Sequence, residues 1–75
     1  MKNNTIEEKT IFFLNGSKYI TKQLISITDL LTYFNYKPEL LVIELNGSIC
    51  QKHKWLNTYI KNQDKIETVT IVGGG

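Results

Sequence analysis

Ile11-Phe12-Phe13-Leu14-Asn15-Gly16-Ser17-Lys18-Tyr19-Ile20-Thr21 joins an aromatic and β-branched run to a second extended run through Asn-Gly. That dipeptide between two such runs is the strongest short-range hairpin signal, because type I′ turns need two successive residues at positive φ. The signal recurs. Leu40-Leu41-Val42-Ile43-Glu44-Leu45 runs into Asn46-Gly47, and Ser48-Ile49-Cys50-Gln51 can return as a short strand. The near-continuous apolarity of 40–45 suggests a central strand covered on both faces. Glu44 marks the wetter face, so Leu41, Ile43 and Leu45 point into the core.

Between the two hairpins lies a helix. Ser26 can N-cap it, and Asp29 stands three residues later in a capping-box position. Ile25 and Leu30 occupy the two positions of a hydrophobic staple. Ile27, Leu30, Leu31 and Phe34 recur at helical spacing and define one apolar face. Asn35 is a C-terminal stop and Pro38 forbids continuation, which leaves a helix of about three turns.

Residues 52–61 read as an irregular or short helical segment carrying Trp55, Leu56, Tyr59 and Ile60. Asn62-Gln63-Asp64 is a turn, and residues 65–72 form the last strand. Its alternation is imperfect, with Ile66 in one phase and Val69 and Ile71 in the other; a bulge or two-sided burial would explain that. Hairpin, helix, hairpin, strand is the element order of the β-grasp fold. The expected class is α+β, a mixed sheet of four to five strands with one main helix across one face, and the first and last strands parallel at its centre. Residues 1–9, polar and aperiodic, are expected to be a flexible arm. Residues 10–72 are then the domain and 73–75 a mobile glycine tail.

Composition narrows the function. A single domain of 75 residues has little room for a deep catalytic cleft. Nine lysines against seven acids give a net charge of only +2, and arginine is absent. Neither nucleic acid nor an anionic membrane is called for by that balance. One cysteine excludes an internal disulfide. The N-terminus has no apolar h-region, and no apolar run approaches the ~20 residues of a membrane span. Chains rich in Ile, Asn and Lys and lacking Ala suggest an AT-rich gene. The expected place is the cytoplasm of a bacterium, or the plastid stroma if the gene is organellar.

Two candidate sites fall away on inspection. Cys50 and His53 have no further Cys or His partner, so they make neither a zinc site nor a supported catalytic pair. Lys52, His53, Lys54 and Lys61 flank Trp55 and Tyr59, an arrangement that can stack bases. It reads better as Trp55 closing one end of the core among solvated lysines. No bound metal or cofactor is expected.

The end of the chain remains. Val69-Thr70-Ile71-Val72 runs directly into Gly73-Gly74-Gly75. A carboxylate is a poor electrophile until it is joined to AMP as a mixed anhydride, from which sulfur can displace the nucleotide. That chemistry takes place in another protein's ATP site, reached through a narrow channel. Glycine, without Cβ, allows the close approach. Three extended residues reach roughly 10 Å.

With these features the sequence resembles the ThiS family, sulfur carriers of thiamine biosynthesis with a ubiquitin-like β-grasp fold. The likeness is carried by Leu14-Asn15-Gly16, the helix around Asp29-Leu30-Leu31, Leu41 to Gly47, Trp55, and Asp64 to Gly75. Where the family's usual turn is Asp-Gly-Asp, this chain has Asn62-Gln63-Asp64. The resemblance implies that a ThiF-like adenylyltransferase, using ATP and Mg²⁺, would activate the carboxylate of Gly75. Sulfur from a cysteine desulfurase would convert it to a thiocarboxylate, and a ThiG-like thiazole synthase would receive that sulfur. Gly73 and Gly74 would thread the partner active sites. The chain would be a carrier substrate and not an enzyme. The sheet face away from the helix, with Phe13 and Val42, is the candidate docking surface. Two alternatives share the fold and tail: the sulfur carrier of molybdopterin synthesis, and a ubiquitin-like protein modifier.

Overall fold

A computed structural model describes the backbone of residues 5–71 and the side chains of residues 8–71. Strand β1 (Thr5–Leu14) and β2 (Ser17–Gln23) form the first hairpin, followed by helix α1 (Ile27–Tyr33). A 3₁₀ turn (Pro38–Leu40) leads to β3 (Leu41–Leu45) and β4 (Ser48–Cys50). A second 3₁₀ stretch (Lys52–Asn57) precedes β5 (Lys65–Thr70). The sheet runs β2-β1-β5-β3-β4, with β1 and β5 parallel and the other pairs antiparallel. This is the β-grasp arrangement expected from the element order.

Both Asn-Gly turns take positive φ at both residues, 51° and 84° at Asn15 and Gly16, 53° and 86° at Asn46 and Gly47. Those values are type I′ geometry. The helix begins as its sequence prescribes. Ser26 Oγ accepts the Asp29 N–H at 3.1 Å, and the Asp29 carboxylate accepts the Ser26 N–H at 2.9 Å. It ends sooner than expected, after seven residues and about two turns. Asn35 adopts φ +61°, its N–H reaches the Thr32 carbonyl, and the Tyr36 N–H reaches Leu31 O. That pair of bonds is a Schellman motif, which closes the helix one residue after Phe34.

The core lies between α1 and one face of the sheet. Phe12, Leu14, Ile27, Leu30, Leu31, Leu41, Ile43, Trp55, Ile60 and Ile66 are buried together. Each such side chain contributes about 1.5–3 kcal/mol relative to exposure. Trp55 donates its indole N–H to Cys50 O at 2.8 Å, so it enters the core with its polar atom satisfied.

Three sequence expectations need correction. Residues 5–9 belong to β1 rather than to an arm, with a register shift between Thr5 and Thr10; residues 1–4 lie outside the described region. Strand β3 is not covered on both faces: it stands next to the edge strand, and Val42 is only half-buried. Strand β5 has neither a bulge nor two-sided burial. Its register with β3 is continuous, and Val69 and Ile71 simply lie exposed on the face that α1 does not cover. One short helix can cover only one face of a five-stranded sheet, which accounts for both of the last two findings.

The turn before β5 departs from its family-like form in an informative way. Gln63 sits at φ +72°, the left-handed region that favours glycine. Gln63→Gly is expected to stabilise the fold by about 0.5–1 kcal/mol, since relief of the Cβ clash exceeds the added chain entropy. A rise of about 2–8 °C in the thermal midpoint is the corresponding reading. An unchanged or lower midpoint would argue against that strained conformation.

Candidate functional site: the last strand and the open sheet face

β5 leads to the glycine tail, and its hold on the body is unusual. Its parallel pairing with β1 covers only Phe13↔Lys65 and Leu14↔Ile66 before the chain turns away at Asn15. The Asn15 side chain continues the ladder. Its Oδ1 accepts the Thr68 N–H at 2.9 Å, and its Nδ2 donates to Thr68 Oγ1 at 3.0 Å and to the Tyr36 hydroxyl at 3.3 Å. On the other side, Asn46 uses its N–H for Lys65 O at 2.7 Å and its Oδ1 for the Lys65 N–H at 2.9 Å. Each Asn of an Asn-Gly turn thus replaces a missing strand residue against β5.

Asp64 anchors the entry to the strand. Its carboxylate accepts Asn46 Nδ2 at 2.9 Å and the Lys61 N–H at 2.8 Å, and the residue is buried. Its carbonyl accepts the Phe13 N–H at 2.9 Å. Asn62 Oδ1 accepts the Ile11 N–H at 2.8 Å. At the far end, the Ile71 N–H still bonds Leu40 O at 2.7 Å, so β5 stays attached to the β3 side after it has left β1. In the sequence alone, Asn15 and Asn46 are marked only as turn residues. The available signal was their choice over glycine at positions where both tolerate positive φ, since only Asn carries a side-chain donor and acceptor.

The open sheet face carries both proposed docking residues. Phe13 and Val42 are each half-buried there. They do not form one contact: β5 lies between them, and the Phe13↔Lys65 and Val42↔Val69 registers are four residues apart along it. That offset is about 13 Å. The direct neighbour of Val42 is Val69, which the sequence pattern alone does not assign to this surface. Glu44 and Glu67 also stand directly opposite each other on this face, a like-charge cross-strand pair with Lys65 two residues along β5 on the same side. Gly73, Gly74 and Gly75 lie outside the described residues.

The other candidates are placed elsewhere. Cys50 is half-buried, with its sulfur 3.8 Å from Thr58 Oγ1. His53 is exposed on the 3₁₀ stretch. Trp55 is a core residue with Lys52 Nζ 5.6 Å from its ring centre, so its face is not available for stacking a base. Among the described residues, no helix is long and apolar enough to cross a membrane.

Comparison with known proteins agrees with this geometry. The ThiS family model matches residues 4–75. The uncharacterized protein ycf40 of Trieres chinensis is 53% identical over 64 residues, covering 85% of this chain and 88% of its own. The protein of the same designation from Porphyra purpurea is 37% identical over 62 residues, covering 83% and 87%. The crystal structure of the thiamine biosynthesis protein ThiS from Geobacter metallireducens superposes with a TM-score of 0.76 at 25% identity, covering 88% of this chain and 100% of that one.

The role of Asn15 can be separated from its turn. Asn15→Gly keeps the type I′ turn but removes the side-chain ladder to Thr68. Loss of these exposed bonds is expected to cost about 1 kcal/mol or slightly more. Hydrogen exchange should accelerate at the Thr68 amide more than at Ile66. Equal protection at Thr68 in both proteins would refute the ladder.

Proposed function

The chain belongs to the ThiS family, and from that premise we propose that it is a sulfur carrier whose reactive group is the Gly75 carboxylate. The observation that carries this reading is that the family match runs through the glycine end, on a β-grasp body whose last strand leads into that end. A carboxylate oxygen of Gly75 attacks the α-phosphorus of ATP in a ThiF-like adenylyltransferase, where Mg²⁺ offsets the phosphate charge. Pyrophosphate leaves, and the mixed anhydride remains. The terminal sulfur of a persulfide, supplied by a cysteine desulfurase, then attacks the carbonyl carbon and AMP departs. A second thiol cleaves the resulting sulfur–sulfur bond, leaving the thiocarboxylate on Gly75 and a disulfide on the donor side. A ThiG-like thiazole synthase is the proposed acceptor of that sulfur.

In this scheme the body is a handle and the chain performs no catalysis of its own. Gly73 and Gly74 let the end pass through a channel too narrow for side chains. The open sheet face, with Phe13, Val42 and Val69, docks on the adenylyltransferase, and its Glu44–Glu67 middle suits a basic residue on the partner. The proposed compartment is the plastid stroma, in keeping with a composition that suggests an AT-rich gene and with the likeness to the ycf40 proteins of Trieres chinensis and Porphyra purpurea.

Intact mass decides the chemistry. Incubation with ATP, a cognate adenylyltransferase and a sulfur source is expected to add about 16 Da, oxygen replaced by sulfur, at the C-terminus. Removing Gly74 and Gly75 should abolish the gain and leave the thermal midpoint unchanged. Higher-mass conjugates to lysines would instead indicate a protein modifier. Transfer to a molybdopterin-synthase subunit, and not to thiazole synthase, would indicate the other sulfur-carrier pathway.

Docking is tested separately. Val69 is 47% exposed, so Val69→Ser should leave the fold intact. With Phe13→Ser beside it, the Michaelis constant for adenylation should rise by about tenfold or more at little change in the saturated rate. Unaltered kinetics in both variants would remove this face from the interaction.

A further inference from the structure

The β2 edge and the groove beside it take no part in the carrier scheme. β2 is an outer strand, and the hairpin register determines which of its backbone groups are already used. Leu14 and Ser17 flank the two-residue turn and therefore bond each other. Alternation makes Phe12–Tyr19 and Thr10–Thr21 the next bonded pairs. The N–H groups of Ile11, Phe13 and Asn15 agree, because they bond the opposite way, to Asn62, Asp64 and Ile66. Lys18, Ile20 and Lys22 consequently direct their N–H and C=O groups to an edge that no other described strand covers.

A groove of about 430 Å³ runs along that edge, between β2 and α1. Phe12, Leu30 and Phe34 form its apolar floor. Tyr19 stacks on Phe12 at 5.7 Å and meets Phe34 edge-on at 5.2 Å, and Phe34 meets Tyr33 at 5.0 Å. Tyr33, on the outer wall, is 81% exposed. Asp29 is the one acid on the lining, and its carboxylate is held by the Ser26 N–H.

We propose that this edge and groove bind an extended segment of a partner protein, with alternating aliphatic and acidic side chains, which adds to the sheet as a sixth strand. A row of outward backbone groups at strand spacing is matched by another strand, and no compact small molecule offers that repeat. A strand added here places every second side chain on the helix side, beside Tyr19 and Thr21 and over the groove. The intervening side chains fall on the other face, beside Lys18, Ile20 and Lys22. Aliphatic residues suit the first set, and carboxylates suit the positions of the second that flank Ile20, next to Lys18 and Lys22. The lysines also argue against a second copy of this chain, since two paired β2 edges would bring like charges together. The groove lies on the helix face, so the open face remains accessible while it is filled. The inference stands on the edge geometry and does not depend on the carrier chemistry.

The test is a titration of the ¹⁵N-labelled full chain with the capped peptide Glu-Val-Glu-Leu-Glu-Val-Glu. Saturable shifts are expected along β2 and in Tyr33 and Phe34, and amide exchange should slow at Ile20 and Lys22 but not at Tyr19 and Thr21. Lys22→Glu should weaken binding by about tenfold. Ile20→Pro removes an outward N–H that the hairpin does not use, and should abolish binding; Tyr33→Ala, at an exposed position, gives the same reading if that variant fails to fold. Absence of saturation, shifts confined to Phe13 and Val42, equal binding of the peptide with lysine for glutamate, or undiminished binding to the Ile20→Pro or Tyr33→Ala protein would each overturn the proposal.

Discussion

Strand β5 is the only sheet connection between two hairpins that do not pair with each other among the described residues. β1–β2 lies on one side of it and β3–β4 on the other. Each hairpin can form locally around its Asn-Gly turn, but neither can bury its apolar face alone. The sheet exists as one surface only when the last segment of the chain enters between them. Its contacts to β1 span about fifty residues of sequence, so they come at the cost of closing a long loop. Ile66, fully buried, sits at the point where that closure is made.

This dependence explains why the turns do more than reverse the chain. The parallel β1–β5 contact is only two residues long, a weak seam for the centre of a sheet. Asn15 lengthens it by bonding Thr68, and Asn46 completes Lys65 on the opposite edge. Asp64 links the two, because it bonds the Asn46 side chain through its carboxylate and Phe13 through its carbonyl. A strand held on both sides at its start, and on one side by Ile71, gives the residues beyond it a fixed point of departure. Under the proposed carrier role that matters, since an unanchored end would have to lose additional conformational freedom on docking.

The fold was largely legible because local signals agreed with the global pattern. Two Asn-Gly turns, a complete capping box around Ser26 and Asp29, and the spacing of Ile27, Leu30 and Leu31 each determine one element with little help from the rest. What escaped was set by tertiary context. The length of α1 depends on Asn35 taking up a left-handed conformation, which a candidate stop residue suggests but does not date to one position. The start of β1 at Thr5 lies in a polar segment without strand periodicity. The apolar run through Val42 suggests cover on both faces as readily as an open docking face, and Val69 and Ile71 suggest a bulge as readily as two-sided burial, because sequence cannot tell a covered face from an apolar one left open. The Asn15–Thr68 ladder joins residues 53 apart, beyond any local signal.

That open face needs a distinction between what strands require and what partners require. β-branched side chains favour strands even when exposed, so Val42 opposite Val69 and Ile11 opposite Ile20 serve the sheet itself. Glu44 opposite Glu67 does not, for the same cross-strand physics makes that pair unfavourable. Both kinds of pair occupy one surface, next to the strand that leads to the glycines. The aliphatic pairs are therefore weak grounds for docking, and the acidic pair, which has Lys65 beside Glu67 on the same face, is a local cross-strand cost within a mixed-charge surface that a basic group on a partner would offset.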